Sequence, residues 1–273
     1  MAKRCIYTVL TGSNEELFEQ DIITEEEVDF ICFSDRPRYS TTWDVRIFAS
    51  EIPLDESRMS RIPKILPHKF LFAYEESIYI DNSVKLTKDP YTYLQTNDIE
   101  LSVLEHSFRN SLKMEFIEVV ILSLDELSRV SEQYLMYVSS GADLDDIKPL
   151  WGGIIYRRHN NEKVKRAMEI WWEHVLRYSR RDQLSLPIAL MQTNLYFKAN
   201  QYDNHNSPFH LWPQVKRERH QSQTWRVNHK ENLSKMLSRP IEQIAYVEPV
   251  FEKQNLLSMV SLKRLLNRSF PSK

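Results

Sequence analysis

The sequence is poor in the residues that several protein classes require. It holds 4 glycines and 2 cysteines in 273 residues, which excludes glycine-rich repeats, a disulfide framework and a four-cysteine zinc site. No run of about 18 apolar residues is present, so no segment is predicted to span a membrane. With a formal net charge of -2, the chain lacks the basic excess that binds nucleic acid by charge alone.

Common catalytic motifs are missing as well. The sequence contains no Gly-x-Gly-x-x-Gly, no P-loop, no Gly-x-Ser-x-Gly and no His-Glu-x-x-His, so nucleotide dehydrogenases, P-loop kinases, lipase-type hydrolases and zinc peptidases lack support. The apolar stretch Cys5–Leu10 is too short for a signal peptide. We therefore expect a cytoplasmic protein in which Cys5 and Cys32 are inert buried thiols.

Strand-like and helix-like segments alternate along the chain. Apolar runs with β-branched and aromatic residues predict strands, and 3.6-residue periodicity predicts helices. This alternation indicates an α/β fold with a mostly parallel sheet flanked by helices. The main predicted segments are strands at 5–10, 28–33, 77–80 and 151–157 and helices at 57–73, 111–122, 125–139 and 161–176, with a further helix start at Glu15–Phe18.

The C-terminal part differs in charge from the rest. Residues 213–273 hold 12 Lys and Arg against 5 Asp and Glu, a local +7 that leaves -9 for residues 1–212. We therefore predict one domain over 1–212 and a basic extension over 213–273 with an amphipathic helix near 256–266. That helix can dock on an anionic membrane surface, or it can pack against the domain or a second subunit.

Two segments carry side chains suited to a diphosphate. Arg61 and Lys64 are three residues apart in a basic stretch that also holds His68, so on a helix they share one face. The alternative is a solvated helix face. Asp81-Asn82-Ser83 follows a strand, where ligands bind in parallel sheets, and offers hard oxygen ligands for Mg²⁺ or Mn²⁺, although these are also ordinary turn residues.

Further polar residues are candidates with weaker support. Asp182 and Gln183, preceded by Arg181, open a helix; they can cap it, contact sugar hydroxyls, or supply a base through Asp182. His205 or His210 can add a metal ligand late in the chain, although a lone loop histidine is usually just exposed. A third polar group, for which a surface loop is the simpler interpretation, consists of His106, Arg109 and Glu115.

An ordered set of motifs resembles one family, the glycosyltransferase-like domain family of the plant mucilage-related and turgor-regulation proteins, with homologues in bacterial polysaccharide loci. That family is similar to glycogenin-like transferases of the GT-A fold. The set covers roughly residues 5 to 192. Its stretches are Ile31–Asp35 with Trp43, Ser60–His68, Ser77–Asp81, His106–Arg109 with Glu115, Ile155–Asn160, Trp171–Glu173 and Ser179–Ser185.

The resemblance implies roles for individual residues. Lys64 would be the lysine that contacts the nucleotide diphosphate, and Asp81 would be the first carboxylate of an Asp-x-Asp metal motif. Asp182 and Gln183 would contact the donor sugar. Gly152 and Gly153 would lie on the strand that lines the sugar site, and Thr11 and Gly12 would lie near the base and ribose.

One departure from the family pattern concerns the metal. The third position of the motif is Ser83 rather than Asp, so metal affinity is expected to be weaker, or Lys64 and Arg61 stabilise the leaving diphosphate without a metal. No organic cofactor is implied.

The resemblance implies a nucleotide-sugar-dependent glycosyltransferase that builds a surface glycan such as a capsule or lipopolysaccharide on a glycan or lipid-linked acceptor. A location at the inner face of the membrane would suit such acceptors. Two alternatives remain open: a ceramidase-type hydrolase, and a non-catalytic degenerate transferase that acts as a scaffold.

Overall fold

The computed structural model describes residues 3–12, 15–24, 27–50, 54–95, 98–212 and 236–237. Two compact units divide the chain: Met1–Ser107 with Pro149–Lys216, and Phe108–Lys148 with Arg217–Lys273. The predicted boundary after residue 212 and the predicted helix near 256–266 concern residues outside the described ranges. Both therefore stay predictions.

The first unit is built on a seven-stranded sheet in the order β3-β2-β1-β4-β7-β6-β8. The four pairs β3-β2, β2-β1, β1-β4 and β6-β8 are parallel, and only β7 runs antiparallel to its neighbours β4 and β6. A separate antiparallel pair joins β5 to β9. The strands are β1 Arg4–Leu10, β2 Val28–Ser34, β3 Asp44–Ile47, β4 Glu76–Ile80, β5 Lys85–Leu86, β6 Leu101–Glu105, β7 Leu150–Arg157, β8 Lys198–Asn200 and β9 His210–Leu211.

Helices cover the sheet on both faces, which confirms the predicted α/β class. One apolar layer contains Ile65, Trp171 and Leu190, and the other contains Trp43 and Phe209. All residues of β4 and β7 are buried, as expected for central strands covered on both sides. The described helices of this unit are α1 Glu56–Ile65, α2 Tyr91–Leu94, α5 Glu162–Arg177 and α6 Leu186–Gln192, with short 3₁₀ turns at Pro67–Lys69 and Asp182–Leu184.

The described part of the second unit contains the helices α3 Leu112–Ile121 and α4 Leu127–Ser139. Their positions confirm the prediction from periodicity. The side chain of Ser111 caps α3 by accepting a hydrogen bond from the Met114 amide. None of the helices in the described ranges of either unit combines the length and apolar character needed to span a bilayer.

The predicted helix start at Glu15–Phe18 is wrong, because the backbone there is irregular. Its polar groups bond to distant parts of the first unit instead: the Phe18 amide donates to Asn82 Oδ1 at 3.1 Å, and the Phe18 carbonyl accepts from the Trp43 indole at 2.8 Å. Tertiary hydrogen bonds thus replace the helical ones, although the local pattern favoured a cap.

Both cysteines are buried, as predicted, in neighbouring strands. Burial raises the pKa of Cys32 to about 12. A thiol with so high a pKa stays protonated at neutral pH and is therefore a poor nucleophile.

The buried His159 predicts acid sensitivity of the fold. Its Nδ1 lies 2.8 Å from Ser77 Oγ and its Nε2 lies 2.9 Å from the Leu71 carbonyl, and burial lowers its pKa to about 4. The unfolded chain, with a histidine pKa of about 6.5, therefore binds the proton first, and stability falls as pH decreases between these values, by about 1.4 kcal/mol per pH unit. Denaturant unfolding between pH 7 and pH 4.5 measures this slope, and His159→Gln should reduce it. An unchanged slope in that variant would contradict the assignment.

Candidate functional site

The carboxyl ends of the parallel strands β1, β2 and β4 lie at one edge of the sheet, and a cluster of charged side chains gathers there. Lys64 comes from the last turn of α1, and Asp81 directly follows β4. Asp182 comes from the 3₁₀ turn that follows α5. Because β7 is antiparallel, its beginning, Gly152 and Gly153, reaches the same edge, where the Asp81 amide donates to the Gly153 carbonyl at 2.8 Å.

Lys64 is the centre of this cluster. Its ammonium lies 2.7 Å from Asp182 Oδ2 and 3.4 Å from Asp81 Oδ1, and the Lys64 and Asp182 side chains are only 3% and 5% exposed. Arg61 Nε approaches the same Asp182 oxygen at 3.3 Å. The predicted pair Arg61 and Lys64 thus shares one carboxylate, and Asp81, at 35% exposure, is the most accessible member.

The electrostatics of Asp182 follow from this arrangement. Burial alone would raise its pKa, but the positive charges of Arg61 and Lys64 outweigh burial and hold the pKa well below its usual range. The Trp171 indole and the Ser185 hydroxyl donate to the Asp182 carbonyl at 2.9 and 3.2 Å, which fixes the turn. Asp182 is therefore ionised, rigid and a weak proton acceptor.

Tyr79 belongs to the cluster, although sequence reasoning missed it. Its hydroxyl donates to Asp81 Oδ1 at 2.7 Å, and the Lys64 ammonium lies 4.8 Å from the centre of its ring. Tyr79 precedes Asp81 by two residues, and residues two apart in a strand point to the same face. That spacing is a signal that would have identified it.

Thr11 and Gly12 lie at the end of β1, at the same edge. The Thr11 hydroxyl donates to the Glu56 carbonyl at 2.9 Å, and the Gly12 amide donates to Asp35 Oδ2 at 3.2 Å. Gly12 has φ of +81°, and a Cβ there would meet the Glu56 carboxylate at 2.7 Å, so this turn requires glycine. Asp35 is a further polar residue of this edge that the candidate set did not include.

The two glycines of β7 differ in the space around them. A Cβ on Gly152 would lie 3.4 Å from Lys64 Nζ and 3.9 Å from Asp182 Oδ2, whereas a Cβ on Gly153 would collide with the Trp151 ring at 2.3 Å. A methyl group at Gly152 would therefore be in ordinary van der Waals contact with the ion pair, whereas Gly153 is needed for packing.

This contrast gives a paired prediction. Gly152→Ala should change the free energy of unfolding by no more than about 1 kcal/mol but raise the KM for the sugar donor that the family resemblance implies, because its methyl group occupies space beside Lys64. Gly153→Ala should unfold more easily, because the buried Trp151 ring must move. Thermal unfolding and steady-state kinetics separate the two effects. A Gly152→Ala enzyme with unchanged KM would show that the donor does not use this space.

The remaining predicted residues are engaged elsewhere. Asn82 bonds the Glu16 carbonyl and the Phe18 amide, and Ser83 Oγ accepts from the Trp212 indole at 3.0 Å. His68 lies 4.0 Å from Glu169, and burial lowers its pKa to about 4. It is therefore uncharged near neutral pH.

Two predicted residues flank Asp182 in sequence. Gln183 occupies the same 3₁₀ turn. The backbone amide of Arg181 donates to Ser179 Oγ at 3.1 Å.

The third polar group is divided between the two units. His106 belongs to the first unit, and Arg109 and Glu115 belong to the second. There, Arg109 forms ion pairs with Glu115 at 3.6 Å and Glu118 at 2.8 Å.

The residues proposed for a divalent ion do not fit a metal held by the protein alone. His210 uses both ring nitrogens, Nδ1 with Ser207 Oγ at 2.6 Å and Nε2 with the Asn204 carbonyl at 3.0 Å, and His205 stacks on Trp212. Within the described ranges, no group of three or more His, Cys, Asp or Glu side chains could hold a metal ion.

Comparisons with known proteins assign the chain to the glycosyltransferase-like class. The description "TOD1/MUCI70, glycosyltransferase-like domain" matches residues 18–218, a range that includes Lys64, Asp81 and Asp182. The chain belongs to this family. The family resemblance predicted from the sequence motifs is thereby confirmed.

Among solved structures, "WbbM bifunctional glycosytransferase apo structure" matches with a TM-score of 0.41 and 9% identity. The match covers 73% of this chain and 38% of that one, so this chain spans less than half of that protein's length. The comparison with curated proteins finds no match.

Proposed function

We propose that the protein transfers a sugar from a nucleotide-diphosphate donor to a glycan acceptor, as a nucleotide-sugar-dependent glycosyltransferase. The observation that carries this proposal is the buried Lys64 ammonium between Asp182 and Asp81, with Arg61 beside it. Cations at the carboxyl edge of a mostly parallel sheet suit a phosphorylated ligand. The family supports glycosyl transfer as the class of reaction.

In the proposed reaction, the bond between the anomeric carbon and the diphosphate oxygen breaks while a bond to the acceptor oxygen forms. Lys64 and Arg61 stabilise the negative charge that develops on the departing diphosphate, and the proton of the acceptor hydroxyl passes to the departing diphosphate or to water. Of the two roles open to Asp182, its lowered pKa favours binding the donor sugar's hydroxyls over acting as a base. Gln183, in the same turn, is proposed to bind the sugar with it.

Thr11 and Gly12 remain our proposal for the base and ribose subsite, since they lie at the end of β1 at the edge that carries Lys64. We also retain the proposal of an acceptor that belongs to a surface glycan, built on the inner face of a membrane.

The proposal is tested by calorimetric titration with UDP, GDP, CDP and ADP, each with and without Mn²⁺. Micromolar binding of one diphosphate, followed by hydrolysis or transfer of the matching nucleotide sugar, is the expected result. Binding that needs Mn²⁺ would indicate that Asp81 and the diphosphate together hold a metal. A folded protein that binds none of the four would overturn the proposal and favour the scaffold or the hydrolase.

A further inference from the structure

Arg157, the last residue of β7, is a fully buried cation. Among the described residues, no carboxylate pairs with its guanidinium; its hydrogen-bond acceptors are the Met168 sulfur, the Tyr7 hydroxyl and the Lys64 carbonyl, all uncharged. Burying a charge without a counter-ion costs several kcal/mol even after relaxation, and the same volume in this core could be filled by an apolar side chain. The contacts of Arg157 should therefore show what it contributes in return for this cost.

Those contacts lead to Lys64. Arg157 Nη2 donates to the Lys64 carbonyl at 2.8 Å and also to the Tyr7 hydroxyl. The carbonyls of the last helical turn lack partners within the helix, and a cation is favourable at that end. Arg157 therefore caps α1 at the residue that carries the site's central ammonium.

Tyr7 completes this attachment from β1. Its hydroxyl donates to the same Lys64 carbonyl at 3.1 Å, and its ring lies edge-on to Tyr79, with ring centres 5.3 Å apart. Lys64 is thus held at both ends: Tyr7 and Arg157 bind its backbone, and Asp182, Asp81 and the Tyr79 ring surround its ammonium.

We propose that Tyr7 and Arg157 are positioning residues that fix the Lys64 backbone so that its ammonium meets the donor diphosphate, an inference that rests on the proposed function. Neither touches the ligand itself. Catalytic groups displaced by 1 Å can lose about 100-fold in rate, so a cap on the Lys64 carbonyl has a functional consequence beyond helix stability.

The test compares Tyr7→Phe with Tyr91→Phe. Both tyrosines are buried, and each donates from its hydroxyl to a backbone carbonyl, Tyr7 to Lys64 and Tyr91 to Cys5 at 2.9 Å. Tyr7→Phe removes the hydrogen bonds of that hydroxyl with the Lys64 carbonyl and the Arg157 guanidinium. Tyr91→Phe, on α2, likewise removes two, those with the Cys5 and Glu76 carbonyls, so similar losses of stability are expected. With inorganic pyrophosphate as the calorimetric probe, Tyr7→Phe should bind about fivefold more weakly than the wild type, and Tyr91→Phe should bind as the wild type does.

A second readout follows Lys64 directly. The ¹H–¹⁵N NMR signal of its ammonium, assigned by its absence in Lys64→Met, should broaden or shift in Tyr7→Phe and in Arg157→Lys but not in Tyr91→Phe. If Tyr7→Phe fails to fold, Arg157→Lys still tests whether the contacts to the Lys64 backbone position its ammonium.

The outcomes separate the two proposals. If the wild type binds neither pyrophosphate nor any of the four nucleoside diphosphates, the proposed function is overturned. The NMR signal of the Lys64 ammonium would still test whether Tyr7 and Arg157 position Lys64. The positioning role alone would be overturned by a different result. In it, the wild type binds pyrophosphate, and Tyr7→Phe and Arg157→Lys both bind it with the same affinity and show an unchanged Lys64 signal.

Discussion

Replacing Lys64 by alanine should weaken diphosphate binding by about 100-fold, equivalent to about 2.7 kcal/mol. The ammonium is the buried cation closest to both carboxylates of the site, and nothing else in the cluster reaches Asp81 and Asp182 together. Transfer should fall at least as far as binding, since charge on the leaving diphosphate grows in the transition state. Calorimetry with the preferred nucleoside diphosphate and steady-state kinetics measure the two losses.

The variant will also be less stable, by about 3 kcal/mol, because Asp182 loses a partner while buried. The double variant Lys64→Met with Asp182→Asn distinguishes the loss of stability from the loss of binding, because it removes both charges of the ion pair. It should recover stability without recovering binding. Lys113→Ala is a control for the loss of a lysine ion pair, because Lys113 pairs with Asp145 at 2.6 Å in the second unit. Undiminished binding in Lys64→Ala would refute the assigned diphosphate site.

Asp182→Asn should have opposite effects on binding and on transfer. The Asp182 carboxylate forms ion pairs with Lys64 and Arg61. A neutral amide would not compete with the ligand for these two cations, so diphosphate binding should tighten by about fivefold. Transfer should nevertheless fall by about 100-fold, because the group proposed to orient the donor sugar has changed. Calorimetry gives the first number, and kcat with the nucleotide sugar gives the second.

Asp55→Asn is the matched control for that experiment. Asp55 pairs with Arg58 at 2.6 Å at the start of α1, and Lys64 lies near the other end of this 10-residue helix. It should leave both binding and kcat unchanged. If Asp182→Asn weakened diphosphate binding instead, the carboxylate would be acting as a structural support for Lys64 rather than as its competitor.

Much of the site was predictable from two local patterns. The three-residue spacing of Arg61 and Lys64 predicts a shared helix face, and both side chains do approach Asp182. The position of Asp81 after an apolar strand predicts a place at the carboxyl edge of the sheet. These local patterns do not show which distant segments of the chain come together in space. The direct contact of Lys64 with Asp182, 118 residues later in the chain, is therefore seen only in the fold.

Other features could not be predicted because the residues involved have ordinary sequence contexts. Tyr7 lies in an apolar strand and is indistinguishable there from a packing residue. Arg157 ends a strand, where a charged residue usually marks the surface. The helix predicted at Glu15–Phe18 failed for a related reason, since its hydrogen-bond partners, such as Asn82, lie far away in sequence.

The uncompensated guanidinium of Arg157 gives the cluster a surplus of positive charge, with Arg61, Lys64 and Arg157 against Asp81 and Asp182. The proposed anionic donor would offset that surplus, so its binding would stabilise the protein against unfolding. Without the proposed donor, the chain would be the form most open to cellular proteases. Supply of the sugar nucleotide would in this way set the lifetime of the protein as well as its turnover.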